Sequence, residues 1–310
     1  MTLIAFTGAV ELGLVFSMLA LGIFINYRIL GVADLTVEGS FTAGAALSAV
    51  FVIAGAPVFG ITAAIIGGAL AGVCAAFLQT KMRVQPILAG ILVMTALYSV
   101  NLYIMSGRPN IPLLRIDTLF SLFGGMTGNI RIGPSQFERL MLPLIFALGV
   151  GGGLALFFHT RLGLSIRATG DNEEMVRASS VNSTLTKTIG LAMGNASAAL
   201  SGALFAQYQG FADINSGFGM VVVALASLIV GEALFGRRNV IWNIGTVIAG
   251  SVIYRLILAF ALSFRLNPIN LRAISALIVA VAISYPAIKS LWGVYMLKRR
   301  ARVKHSRSGF

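Results

Sequence analysis

The feature that most constrains this chain is a succession of apolar segments, each about as long as a membrane is thick. A transmembrane helix needs about 20 mostly apolar residues. Nine segments meet that length, at roughly 8–29, 36–54, 58–79, 87–105, 140–159, 187–208, 218–235, 240–262 and 272–296. Hydrophobic residues make up 57% of the sequence and charged residues only 11%, far from the composition of soluble proteins. The sequence therefore predicts an all-α polytopic membrane protein with about nine transmembrane helices.

The basic residues divide unequally between the two sides of these spans. Of the 23 Lys and Arg residues, 15 follow odd-numbered spans or lie in the C-terminal tail, and six follow even-numbered spans. The positive-inside rule places the larger group in the cytoplasm, which predicts an external N-terminus and a cytoplasmic C-terminus. Because this asymmetry explains most of the net charge of +13, a nucleic-acid partner is not expected.

The two ends of the chain, and its few cysteine and histidine residues, add further expectations. The N-terminal residues lack a basic segment and are interpreted as part of the first span, not as a signal peptide. The basic tail, 297–310, either anchors the last span or binds anionic membrane lipid. With one cysteine, Cys74, and two histidines, His159 and His305, neither a disulfide framework nor a metal site is predicted.

Two polar stretches, 34–41 and 213–219, interrupt the apolar pattern of the chain. They lie in corresponding places of two repeat-like halves, about 30–105 and 187–296. Broken helices and ionisable groups at membrane depth are tolerated where they are buried in protein or line a water-filled cavity. The sequence therefore predicts broken or re-entrant segments around a translocation path. The residues assigned to that path are Asp34, Thr36, Glu38, Ser40, Asp213, Asn215 and Glu232. The alternative is that both stretches are interfacial loops with helix caps.

Two connections are long enough to have their own structure. The connection 106–136 contains several prolines and glycines, with room for a short amphipathic helix at about 116–123. It suits either a docking surface for an external protein or a lid over the bundle. The other connection, 160–186, is the longest strongly charged stretch between two spans.

The connection 160–186 has the spacing of a short cytoplasmic helix that begins at about Asn172. The spacings that favour it are the D-x-x-E capping pair Asp171 and Glu174 and the i, i+4 ion pair Glu173 and Arg177. A helix of this length is not stable alone in water. We therefore expect it to dock into a partner protein.

Four runs of residues resemble a known family. The runs L-G-L-S-I-R-A-T-G-D-N at 162–172 and A-Q-Y-Q-G-F at 206–211 are similar to permease subunits of bacterial ABC importers of the branched-chain amino acid and ribose type. Within that superfamily, D-L-T-V-E-G-S-F at 34–41 and the run G-F-G-M-V-V-V-A-L-A-S-L-I-V-G-E at 217–232 resemble the subgroup for tryptophan-type or unassigned amino-acid-like substrates. The resemblance covers about 8–297.

The resemblance implies a type II importer in the bacterial cytoplasmic membrane, in which the whole chain, 1–310, forms one permease domain. Its implied partners are a second, identical permease, an ATP-binding subunit that holds ATP and Mg²⁺, and a periplasmic or lipoprotein substrate-binding protein. The stretch 160–186 becomes the coupling loop to the ATPase. The residues assigned to it are Gly163, Arg167, Ala168, Gly170, Asp171, Asn172, Glu174 and Arg177.

The chain itself is not expected to be an enzyme, because its sequence contains no G-x-x-x-x-G-K-[ST] phosphate loop. The competing interpretation is a secondary transporter or channel, in which Asp34, Glu38 or Glu232 couples ions to transport. A cytoplasmic helix with docking character argues against that class. Phe41, Phe218 and Met220, beside the two polar stretches, would suit an aromatic or amphipathic solute.

Overall fold

The helices of the protein follow the predicted spans closely. The computed structural model describes residues 3–127, 131–132, 135–263 and 280. Within that part of the chain, seven helices are long and apolar enough to cross a membrane, and an eighth apolar helix is shorter, at 16 residues. The ninth predicted span, 272–296, lies outside the described residues apart from residue 280, and so does the tail. The prediction of an all-α multi-pass membrane protein is confirmed.

The elements are numbered in chain order. The helices are α1 (Leu3–Ile23), α2 (Thr36–Ile53), α3 (Pro57–Thr80), α4 (Pro86–Ile104), α5 (Leu119–Thr127), α6 (Phe137–Phe157), α7 (Arg161–Asp171), α8 (Glu173–Ala178), α9 (Ser183–Gln209), α10 (Met220–Phe235) and α11 (Val240–Ser263). A π-helical continuation of α1, Phe24–Ile29, is called the π segment below. The amphipathic helix predicted at about 116–123 corresponds to α5, which begins a few residues later.

Four short strands form two small antiparallel pairs. The strands are β1 (Asn110–Pro112), β2 (Arg131–Ile132), β3 (Ser135–Gln136) and β4 (Phe211–Asp213). β1 pairs with β4, with Asn110 opposite Asp213, and β2 pairs with β3, with Arg131 opposite Gln136. The β1–β4 pair joins the connection after α4 to the connection after α9. Two even-numbered connections therefore lie at the same end of the bundle, as their span numbers require.

Close packing of α2, α3 and α9 forms one side of the bundle. A Cβ on Gly72 would overlap the carbonyl oxygen of Leu191, and a Cβ on Gly68 would lie 2.5 Å from that of Asn195. Backbones approach this closely only where small residues line both helices, since apolar side chains gain little by leaving lipid for a helix interface. Gly68 and Gly72 therefore serve close packing of α3 against α9.

Both predicted breaks occur inside the bundle, and they meet there. α2 begins beside the middle of α9, where Ser40 Oγ donates to Asn195 Oδ1 at 2.7 Å. The connection after β4 turns back toward the same region, where the Gly217 amide donates to Thr42 Oγ1 at 3.1 Å. α10 starts from that point and runs toward the end of the bundle that carries α7 and α8. The predicted interruption of the helices is therefore confirmed.

Candidate functional site

The stretch 160–186 folds into two helices, α7 and α8, and the beginning of α9. Thr160 caps α7, because its Oγ1 accepts a hydrogen bond from the Gly163 amide at 3.2 Å. Ile166 and Thr169 are buried on the inner face of α7. The sequence predicted only one short helix in this connection, from about Asn172, and α7 was not expected.

The cap of α8 differs from the predicted one. Asn172 Oδ1 accepts from the Met175 amide at 3.0 Å, so Asn172 is the N-cap and the helix starts at the next residue. The predicted capping pair of Asp171 and Glu174 is wrong, because Asp171 is the last residue of α7. The side chain one position later takes the cap.

Ion pairs fasten α8 to the start of α9. Glu173 Oε1 accepts from Arg177 Nη2 at 2.7 Å, which confirms the predicted i, i+4 pair, and Glu173 Oε2 bonds Lys187 Nζ. Arg177 Nε donates to Ser183 Oγ at 2.9 Å. Burial raises the pKa of Glu173, but the hydrogen bond and charge of Lys187, with the charge of Arg177, outweigh it and hold the pKa below its ordinary value. The carboxylate is therefore ionised at neutral pH.

α7 rests directly on the π segment. Gly170 lies against the carbonyl oxygen of Ile29, which a Cβ at that position would overlap. Gly163 has a similar relation to the carbonyl of Phe157. These two glycines are therefore points where backbones touch, and Gly170 places α7 directly against the π segment.

The outer surface of α7 and α8 combines apolar and charged side chains. Leu164 is 51% exposed and Met175 is 56% exposed, with the charged Arg161 and Glu174 exposed beside them. Such a mixture is typical of a surface that binds another protein. Of the predicted coupling residues, the exposed ones are Asp171, Asn172, Glu174 and Arg177, and the buried or half-buried ones are Gly163, Arg167, Ala168 and Gly170.

Three of the predicted path residues belong to a buried polar network. Asp34 Oδ2 accepts from Asn26 Nδ2 at 3.0 Å and from Asn195 Nδ2 at 2.7 Å, and its Oδ1 accepts from the Thr36 amide at 2.9 Å. Ser40 joins through Asn195, as described above. All five residues are buried. The network binds the π segment, the start of α2 and the middle of α9 together.

Three other path residues have partners elsewhere. Asp213 Oδ1 accepts from the Asn215 amide at 2.7 Å, so this pair shapes the turn after β4. Glu232, near the end of α10, forms ion pairs with Arg28 at 3.0 Å and with Arg237 at 2.6 Å. Arg28 precedes the residue that Gly170 contacts, so this ion cluster lies at the α7 end of the bundle. Whether these residues contact solute stays a prediction.

Glu38 lines a cavity at the meeting point of the two broken stretches. The cavity has a volume of about 280 Å³ and lies between α2, α4 and the connection that leads into α10. Glu38 Oε1 accepts from the Gly219 amide at 3.0 Å. Tyr98 and Phe218 form aromatic walls, and the buried amide of Asn101 contributes a polar group. Glu38 thus faces the cavity where the two broken stretches meet.

The sequence interpretation missed the residues that α4 contributes to this cavity. Asn101 is 1% exposed and lies near the end of an apolar span. An isolated amide in such a span was the signal that could have identified it, because a polar side chain there needs a partner. Asn195, the centre of the buried network, gave the same signal in α9.

Membrane-length helices, broken segments that meet at a cavity, and an exposed pair of short helices at one end of the bundle are together the features of a membrane permease. The family model described as "Branched-chain amino acid transport system / permease component" matches residues 6–284. The chain belongs to this family and is a permease subunit of an ABC importer of the branched-chain amino acid and ribose type.

Among the curated proteins similar to this chain, several are described as permeases. The chain is 37% identical over 267 residues to a "Tyrosine transport system permease protein" of Clostridioides difficile (strain R20291), covering 86% of each chain. It is 34% identical over 284 residues to an uncharacterized protein of Rickettsia prowazekii, covering 89% of this chain and 95% of the relative. It is 28% identical over 222 residues to a ribose import permease of Escherichia coli (strain K12), covering 70% and 62%.

Proposed function

We propose that this permease carries an amino-acid-like solute across the bacterial cytoplasmic membrane in an ATP-driven importer. The solute arrives from an external substrate-binding protein and passes to the cytoplasm by alternating access. The relative described as a tyrosine transport permease supports the solute class. The excess of basic residues on one side supports an external N-terminus and a cytoplasmic C-terminus, with α7 and α8 in the cytoplasm.

ATP and Mg²⁺ bind to a separate ATP-binding subunit, which takes hold of α7 and α8. The observation that carries this step is the exposed pair Leu164 and Met175 on helices that are fastened to the bundle. Large apolar side chains flanked by charges are the anchors that a partner groove buries. The Glu173–Lys187 ion pair and the Gly170 contact keep α7 and α8 from moving independently of the bundle.

A continuous set of contacts leads from α7 to the cavity. α7 presses on Ile29, the neighbouring Arg28 pairs with Glu232 at one end of α10, and Glu38 accepts from Gly219 at the other end. A displacement of α7 by the ATPase therefore acts on α10. This helix extends from the α7 end of the path to the cavity. Alternating access requires two arrangements of the permease, one open to each side of the membrane. Coupling of this kind requires that the ATPase bind these two arrangements with different affinity.

A second, identical permease completes the path. Much of α4 beside the cavity is exposed in one copy, including Ile91, Leu92 and Tyr98. Cyclic pairs are the commonest symmetric assemblies, and the ATP-binding subunits also act as a pair in this scheme. Membrane lipid covers the remaining apolar surface.

Charge placed on the exposed apolar pair tests the docking of the ATPase. We expect Met175→Asp to lower recovery of the ATP-binding subunit in co-purification by about 30-fold, since an interface anchor is worth about 2 kcal/mol. The matched control is Leu114→Asp, a leucine that is 77% exposed in the connection at the opposite end of the bundle. Equal recovery with Met175→Asp and with the wild-type chain would refute ATPase docking on α8.

A further inference from the structure

The cavity beside Glu38 presents hydrogen-bond acceptors and a negative charge. Among the described residues that line it, none is cationic, and Glu38 supplies the carboxylate. The Oδ1 atom of Asn101 is buried and accepts no hydrogen bond from the described part of the chain. A buried acceptor without a donor is unfavourable, so a donor group that reaches this oxygen would recover free energy.

The orientation of the Asn101 amide follows from its other contact. Its Nδ2 donates to the carbonyl oxygen of Gly39 at 3.2 Å. Reversing the amide would place two acceptors against each other, so the hydrogen-bond network assigns Nδ2 to the Gly39 contact and leaves Oδ1 as the unused acceptor. Asn101 therefore keeps one unused acceptor on a side chain that lines the cavity.

The helix end beside the cavity is already occupied. Glu38 accepts from Gly219, the residue that caps the N-terminus of α10. Helix N-termini attract anions, and here the anion is a side chain of the protein itself. An incoming carboxylate would be repelled by Glu38, which already occupies the amides at the N-terminus of α10. An incoming cation would be attracted to the Glu38 carboxylate.

The remaining walls are mostly apolar and aromatic, and the hydroxyls of Thr42 and Thr95 there donate to backbone carbonyls of their own helices. Tyr98 and Phe218 are 46% and 60% exposed, so both rings have surface available to a ligand, and Met94 adds an apolar contact. Aromatic faces also attract cations. The volume of about 280 Å³ is at the lower end of the range for small-molecule sites.

We propose that this cavity binds the ammonium group of the transported solute, with Glu38 as counter-charge, Asn101 Oδ1 as acceptor, and Tyr98 and Phe218 against its apolar body. The inference rests on the proposed importer function and adds which end of the solute is recognised. A solute with a primary ammonium group is bound, and an otherwise identical anion is not.

The test uses three probes that share one aromatic ring. L-phenylalanine carries both charges, 2-phenylethylamine only the ammonium group, and 3-phenylpropanoate only the carboxylate. Binding to the full permease–ATPase complex in lipid nanodiscs is measured by saturation-transfer difference NMR. We expect the two ammonium compounds to bind at least about 10-fold more tightly than 3-phenylpropanoate, since hydrogen bonds to charged groups contribute about 1.5–3 kcal/mol.

Substitutions at Glu38 assign the preference to this site. Glu38→Gln keeps an acceptor for the Gly219 amide and removes the charge, so we expect the ammonium probes to lose about 10- to 100-fold in affinity. Glu38→Asp is expected to keep the preference, and Ile66→Val, on an exposed face of α3 outside the cavity lining, serves as the control. Unfolding midpoints of all variants show whether the complexes remain intact.

Three outcomes would overturn the inference. They are equal binding of 3-phenylpropanoate and L-phenylalanine, an unchanged preference in intact Glu38→Gln, and failure of both ammonium probes to bind. ATP-driven uptake by the same wild-type complexes is measured in parallel. Absence of that uptake contradicts the importer function, whereas uptake without an ammonium preference contradicts only this inference.

Discussion

Replacing Gly170 with alanine is expected to uncouple ATP hydrolysis from transport. The added methyl group overlaps the carbonyl oxygen of Ile29 and lies 3.0 Å from the Cα of Leu30, so α7 must leave the π segment. Overpacking typically costs about 1–3 kcal/mol, and both obstacles here are backbone atoms that cannot rotate away. We expect solute uptake in proteoliposomes to fall about 10- to 100-fold while the ATPase still hydrolyses ATP.

Gly152 provides the control for this substitution. It lies in α6, and a Cβ there would meet nothing within 4 Å. Gly152→Ala is therefore expected to leave uptake unchanged. If Gly170→Ala transports as well as Gly152→Ala, the contact between α7 and the π segment has no part in coupling.

Replacing Asp34 with alanine is expected to destabilise the whole bundle. The substitution removes the acceptor of one hydrogen bond from each of three buried groups, which are the side-chain amides of Asn26 and Asn195 and the backbone amide of Thr36. Each stranded buried donor costs about 1–3 kcal/mol, so the total loss is about 3 kcal/mol or more. The measurement is the recovery of monodisperse protein in detergent and its unfolding midpoint.

The same substitution separates two roles for Asp34. Asp213→Ala, in the turn after β4, is the control, and we expect it to preserve the unfolding midpoint. A structural carboxylate predicts that Asp34→Ala lowers stability and transport together. Normal stability with transport abolished would instead support the sequence prediction that Asp34 contacts the solute.

The sequence was sufficient for the membrane helices, because spanning a bilayer imposes a length and polarity that can be counted along the chain. It was also sufficient for the two breaks, since Asp34 and Asp213 are ionisable residues at positions where an uninterrupted apolar helix would bury them without a partner. It failed at α7, where Gly163 and Gly170 look like helix breakers. Their function is to let α7 touch neighbouring backbones, and the neighbour of Gly170, Ile29, is distant in sequence.

The candidate site shows the same limit. Asp34 and Glu38 lie four residues apart and are indistinguishable by composition, yet one is buried in a network and the other lines a cavity. The difference arises from α4, which contributes Asn101 and Tyr98 to the cavity, and from Asn195, which bonds Asp34. Spacing along the chain carries no information about which helix packs beside a given carboxylate.

In the proposed function, ATP drives solute movement through an ATPase bound to α7 and α8. The most direct measurement is uptake of labelled L-phenylalanine into proteoliposomes that contain the permease with its ATP-binding subunit and external binding protein. We predict uptake that requires ATP on the ATPase side and is lost with Met175→Asp. Uptake driven by a proton gradient in proteoliposomes containing this chain alone would contradict the account.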